Sequence, residues 1–206
     1  MKQLKERGMK TVFLLAACTS ILAVALICIF LFTNGFSAIG KIGVADFLLG
    51  KQWKPLNDIY GIFPMIVGSI YVTAGAIIVG VPIGLLCAVF LAEFCPPALY
   101  RIVKPAVDLL AGIPSVVYGF FALMVIVPIV QDLFGGSGKN MLTASLLLGL
   151  MILPTIIGVS ESAIRAVPES YYEGALALGA TRERSVFAAV LPAAKSGILA
   201  GIVLGI

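Results

Sequence analysis

The 206 residues contain no histidine, and charge is scarce: 14 Lys and Arg stand against 10 Asp and Glu, together 12% of the chain. Without imidazole the commonest general base and the commonest metal ligand are both missing. A soluble domain carries about 25% charged residues, so a chain that is 61% hydrophobic belongs in a bilayer. Cysteine is sparse as well. Cys18, Cys28, Cys87 and Cys95 show no paired C-x-x-C spacing, which argues against a metal knuckle or disulfide framework and leaves them as small apolar packing residues. The cluster Gly135-Gly136-Ser137-Gly138 is followed by no G-K-[ST] and is not set between a strand and a helix. It reads as a tight turn, not a phosphate cradle. With no Walker motif and no nucleophile–base pair inside the apolar runs, the chain is expected not to be an enzyme. The net charge of +4 sets topology and does not mark nucleic-acid binding.

What is present is a series of long uncharged runs. Residues 11–33 form a first run; its 22 residues from Thr11 to Phe32 would span roughly 33 Å as a helix, enough for a hydrocarbon core of about 30 Å. It exceeds a signal-peptide core and no clean A-x-A site follows, so an uncleaved span is expected. Residues 34–64 read as a polar and aromatic loop, with a short interfacial helix near Ala45–Leu49 and with Trp53 and Tyr60 at headgroup level. From residue 65 to 206 further spans are expected at about 65–92, 109–131, 141–164 and 186–206. Pro82 lies in mid-span between Gly80 and Gly84, which suits close helix packing and also a kinked, moving helix. Pro154 should kink the fourth span, closed by Glu161 and Arg165 as an i,i+4 ion pair at the interface. Lys195 is placed to snorkel. The fold class is therefore an all-α, multi-pass transmembrane helical bundle. The chain stops inside an apolar run, so a C-terminal truncation is expected.

Alternating crossings place Lys2, Lys5, Arg7, Lys10, Arg101, Lys104, Arg165, Arg182, Arg184 and Lys195 on one side, against Lys41, Lys51, Lys54 and Lys139 on the other. The positive-inside rule then puts the N-terminal segment 1–10, the return 93–108 and the loop 165–195 in the cytoplasm. That last loop is the most polar stretch of the second half. Ser170 with Glu173 forms a capping-box pattern, and Tyr171, Tyr172, Ala175, Leu176 and Leu178 continue a helix with an apolar face. Gly179 suits the left-handed residue that ends it, and Thr181 a second cap. A short helix shown to the cytoplasm suggests a docking knob.

Glu173-Gly174-Ala175, Gly179 and Leu191-Pro192 resemble the EAA loop of ABC-importer permeases, E-A-A-x3-G-x9-I-x-L-P. The spacing is kept; Gly174 stands where Ala is common and Ala189 where Ile is usual. The stretches GVPIGLLCAVFLAEF, LLAGIPSVVYGFFALMVIVP, ILPTIIGVSESAIRAVP and YEGALALGATRERSVFAAVLPAAKSGILAGI are similar to the permeases of inorganic-phosphate importers, PstC-type more closely than the PstA-type sister.

The resemblance implies a type I (MetI-like) ABC importer permease of six spans in a bacterial or archaeal inner membrane. It also implies a PstA-type partner, an extracytoplasmic phosphate-binding protein, and an ATPase dimer that holds the ATP and Mg, so that this subunit needs no cofactor. The family's chain runs on into a Gly-Arg-Ala-x-Gly-Glu segment, absent here. The loop helix would seat in a groove of the ATPase, with Glu173 capping the helix and pairing with a base there. Another oxyanion (phosphonate, sulfate, molybdate) and a non-transporting membrane scaffold are the alternatives. Because the apolar cores carry no charge, the polar candidates for an anion path are Ser69, Thr73, Ser115, Tyr118, Ser145 and Thr155, with Ser115 and Tyr118 foremost and Pro82, Pro114 and Pro154 as hinge or lining residues. Any pathway arginine is expected beyond Ile206 or on the sister subunit.

Overall fold

A computed structural model describes residues 2–206, with side chains from Gly8 onward. The side chains of Lys2, Lys5 and Arg7, on which part of the charge tally rests, lie outside the described residues. Two compact units are present, divided at Val67 and Gly68.

The first unit opens on α1 (Lys2–Ile42) and α2 (Val44–Leu49), followed by the two-residue strands β1 (Trp53–Lys54) and β2 (Ile59–Tyr60). The helix from the first run does not stop at residue 33. Nothing in Thr33–Ile42 breaks it, and it ends only at Gly43, whose φ of +92° needs a glycine. Side chains along the described part of α1 are exposed up to Ala38, with Ile39 and Ile42 half-buried near its end; an apolar helix in lipid would be bare in this way. A short helix lies where the sequence places one, as α2. The pairing of Trp53 with Tyr60, edge to face at 5.7 Å, was not legible from composition.

In the second unit α3 (Phe63–Val89, beginning before the boundary) passes through Pro82 without interruption and ends in a π turn at Phe90–Phe94. Then come α4 (Pro97–Ala111), α5 (Ser115–Phe121), a π turn (Ala122–Ile126), α6 (Val127–Phe134), α7 (Met141–Arg165), α8 (Glu169–Ala177), α9 (Arg182–Ser185), a π turn (Val186–Val190) and α10 (Leu191–Gly205). By length and composition five helical stretches among the described residues suffice to cross a membrane: 8–42, 63–94, 115–134, 141–165 and 182–205.

The third span, too, is bounded differently from the expectation. Residues 93–108 are no mere return: most of them form the 15-residue amphipathic α4, which absorbs Leu109–Ala111, and the third span begins at Ser115. Pro114 explains the shift. It cannot donate to a helical bond, and it pushes the residue before it out of the α region.

Helix α7 is the centre of this unit. Asn140 caps it, its Oδ1 accepting from the Thr143 N–H at 3.0 Å. Its C-terminal half packs on α3 and α10 through Ala88, Val89, Ile164, Val186, Val190, Ala194 and Ile198. Its middle packs on α4 and the first π turn through Leu91, Val107 and Ile157. Against α3 the fit depends on missing side chains: a Cβ on Gly80 would come 2.7 Å from Ile152 Cδ1 and 2.9 Å from the Gly149 carbonyl oxygen, and one on Gly84 would come 2.9 Å from Ile156. Gly80 and Gly84 thus serve close packing. The cysteines are divided: all four are free thiols, Cys18, Cys28 and Cys87 exposed, while Cys95 is partly buried and packs against the Leu91, Val107 and Ile157 cluster, as expected of a small apolar residue.

Candidate functional site

Helix α8 and its flanks form the candidate site. The helix starts two residues earlier than a Ser170 cap would have it. Pro168 is the N-cap, with φ −56° and no side-chain bond, and its carbonyl accepts from the Tyr171 N–H at 3.0 Å. Proline's fixed φ preorganises the entry, so Ser170 is an ordinary first-turn residue and no capping box forms. The other end matches the expectation. Gly179 has φ +86°, its N–H donates to the Leu176 carbonyl at 2.8 Å, and the Ala180 N–H donates to the Ala175 carbonyl at 3.1 Å. These two bonds close a Schellman motif. Thr181 then caps α9, its hydroxyl oxygen accepting from the Arg184 N–H at 3.4 Å.

The helix is two-faced. Tyr172 packs against the Ile164–Val186–Val190 core, and Ala175 is half-buried in a crevice it shares with Ala188 and Ala189. These two, expected on the docking face, instead hold α8 to its own subunit. The open face carries Tyr171, 53% exposed, and Leu178, 91% exposed, with Gly174 between them at i+3 and nothing within 4 Å of its missing Cβ. Leu176 lies at the edge, 39% exposed. Glu173 is exposed and makes no ion pair among the described residues, so its carboxylate is open to an external base. Leu191 packs on the same core as Tyr172, and Pro192 is exposed in the first turn of α10.

Beneath α8 sits a cluster whose centre is Glu161, 2% exposed. Tyr100 Oη donates to its Oε1 at 2.7 Å and Arg165 Nε to the same oxygen at 3.0 Å, while Lys104 Nζ pairs with Oε2 at 3.1 Å. Lys104 also reaches Asp108 at 3.3 Å. The bond Tyr100 donates to Glu161 is the main reason its phenol is held above its usual range, with burial adding to it. For Lys104, burial pulls the ammonium down, but the hydrogen bond and charge of Glu161 outweigh that and hold it above its usual value. The expected Glu161–Arg165 pair is therefore present as part of a larger, buried knot. Arg165 Nη2 also donates to the Leu91 carbonyl at 2.7 Å, and Arg182 Nη2 donates to the Glu93 carbonyl. Tyr100, Lys104 and Arg182 were not foreseen as a group. One signal was available: Pro96 and Pro97 leave the carbonyls at the end of α3 without backbone donors.

The expected pathway residues do not gather. Pro82 is exposed on α3, and Pro154 is buried within α7. Pro114 and Ser115 open α5 on an exposed turn, and Tyr118 Oη is engaged with the Leu110 carbonyl at 3.0 Å, bridging the break between α4 and α5. Among the described residues no group of His, Cys, Asp and Glu could hold a metal ion.

Residues 80–206 match the family model described as "Binding-protein-dependent transport system inner membrane component". The chain is 37% identical to the "Probable ABC transporter permease protein YqgH" of Bacillus subtilis, over 99% of its own length and 68% of that relative. It is 32% identical to the "Phosphate transport system permease protein PstC" of Mesorhizobium japonicum, over 87% of this chain and 61% of the relative. To the protein of the same name in Haemophilus influenzae it is 32% identical, over 96% and 68%. The chain thus spans about two thirds of the length of these relatives.

Proposed function

Because this chain belongs to the family of binding-protein-dependent transport system inner membrane components, whose fold is the all-α type I ABC permease, we propose that it is the permease subunit of an ATP-driven phosphate importer. The observation that carries the reading is α8: a short, rigidly terminated helix anchored inward by Tyr172, with Tyr171 and Leu178 bare on its outer side. On this reading α8 faces the cytoplasm, as does the N-terminus, and seats in a groove of a separate ATPase dimer. That dimer holds ATP and Mg; this subunit supplies no hydrolytic group. Apolar contact comes from Tyr171 and Leu178, with Leu176 at the rim, and Glu173 meets a basic residue of the ATPase.

Closure of the ATPase dimer then pushes α8, and rigid spans rock between inward-open and outward-open states. A PstA-type sister permease completes the pathway and an extracytoplasmic phosphate-binding protein delivers the anion. Phosphate as cargo rests on the names of the relatives and on the likeness along the spans. The apolar runs add nothing to it, and on this reading the sister subunit contributes to the anion pathway.

Gly179→Pro in the full-length permease tests the coupling role. Proline cannot take φ +86°, so the end of α8 is lost. The ATPase should no longer co-purify with the permease, and uptake of radiolabelled phosphate should fall to background. Retention of the ATPase by this variant would sink the docking assignment. Uptake in wild type that excess sulfate, molybdate or phosphonate suppresses as well as phosphate does would overturn the cargo.

A further inference from the structure

The end of α3 is built so that its carbonyls need donors from elsewhere. A helix leaves its last four carbonyls without partners of its own. Here Cys95 turns to extended backbone with ψ 122°, and the next two residues, Pro96 and Pro97, have no N–H to give. Two guanidiniums fill the gap, Arg165 on the Leu91 carbonyl and Arg182 on the Glu93 carbonyl. Positive charge at a helix C-terminus also suits the helix dipole. Each guanidinium is steadied by a ring, Arg165 at 4.8 Å over Tyr100 and Arg182 at 5.2 Å over Phe94.

The positions of these arginines along the chain give the arrangement its meaning. Arg165 ends α7, three residues ahead of Pro168, the N-cap of α8. Arg182 follows Gly179, which ends α8, by three residues. One hook stands before the helix and one behind it, and both grip the same turn of α3. Arg165 is in turn held by Glu161, which also holds Tyr100 and Lys104 of α4. A displacement of α8 therefore has little slack on either side.

We propose that Arg165 and Arg182 form a two-point linkage that makes α8 and the cytoplasmic end of α3 move together, with Arg182 as its positioning residue in the loop. The inference rests on the reading of α8 as the ATPase-docking helix. A joint with little slack that carries the ATPase's motion to the spans also carries the state of the spans back to the ATPase.

The test uses the full-length permease with its sister subunit and ATPase in proteoliposomes. ATP hydrolysis is measured with and without phosphate-loaded binding protein, alongside uptake of radiolabelled phosphate. Arg182→Ala should keep the ATPase bound and its basal hydrolysis unchanged, while stimulation by the binding protein falls about fivefold or more, the low end of ordinary coupling, and uptake falls with it. Arg182→Lys keeps a positive donor but loses the planar group that lies over Phe94, and should restore part of both. Wild-type stimulation and uptake in Arg182→Ala would overturn the linkage. So would loss of the ATPase or of basal hydrolysis, which would make Arg182 a docking or folding residue, and so would a lysine variant no better than alanine. If the docking reading itself were wrong, the fault would show in wild type, as an ATPase that neither co-purifies nor answers to the binding protein.

Discussion

Gly174 stands in the middle of α8 with a helical backbone and open space where a Cβ would go. Glycine in a helix interior costs about 0.5–1 kcal/mol relative to alanine, so Gly174→Ala should raise the thermal unfolding temperature of the purified permease while the ATPase still co-purifies. An unchanged or lower temperature would mean that the helix end, not its interior, limits stability. Glu161 is the opposite case. Glu161→Ala leaves Lys104 and Arg165 facing a pocket with no carboxylate, and breaking a buried pair costs about 3–5 kcal/mol. Because Lys104 and Arg165 are partly exposed, about 3 kcal/mol is expected, read as a large drop in the midpoint of thermal unfolding in detergent; a midpoint within error of wild type would contradict it. Part of this knot was legible in sequence. Glu161 and Arg165 are four apart on one helix, and that spacing names the pair. Tyr100 and Lys104 lie some sixty residues away, and only the folded chain brings them in. Nor could composition tell Tyr171 from Tyr172. The helical phase that turns one outward and the other into the core depends on which side of α8 meets Val186 and Val190.

Among the elements, the spans were legible wherever an uncharged run is bounded by turn residues. Helix α7 begins at its Asn140 cap and α3 sits almost where the run from 65 to 92 puts it. Failure came where two helices share one apolar run. Leu109–Ala111 and Val116–Val117 look alike by hydropathy, and only Pro114 separates the end of amphipathic α4 from the start of α5. The close pairing of α3 with α7 can be tested directly. Gly80→Ala would bring a methyl within 2.9 Å of the Gly149 carbonyl oxygen and closer still to Ile152, so the helices must part. Overpacking of this kind costs about 1–3 kcal/mol. The cost should show as a lower unfolding midpoint in thermal denaturation of the purified permease. A Gly80→Ala variant as stable as wild type would mean that the two helices are held less tightly than their spacing implies.

For the whole molecule the testable quantity is sidedness. With the native cysteines replaced, Ser137→Cys in the turn between α6 and α7 should react with a membrane-impermeant maleimide in right-side-out vesicles. Ser170→Cys on α8 should react only in inverted ones. The reverse pattern would place α8 on the wrong side for any ATPase, whatever its shape. Five helical stretches of the described residues are long and apolar enough to cross, and three π turns are set into them, at 90–94, 122–126 and 186–190. A π turn takes in one residue more than the α turn it replaces. The interval from Gly179 to Ala189, on which the likeness to the EAA loop partly rests, runs through the last of these turns. That interval is thus a ruler laid along a widened stretch of helix, not a measure of contact with another protein. A related loop one residue shorter, with a plain α turn there, could present the same docking face, and a search that insists on the full count would pass it by.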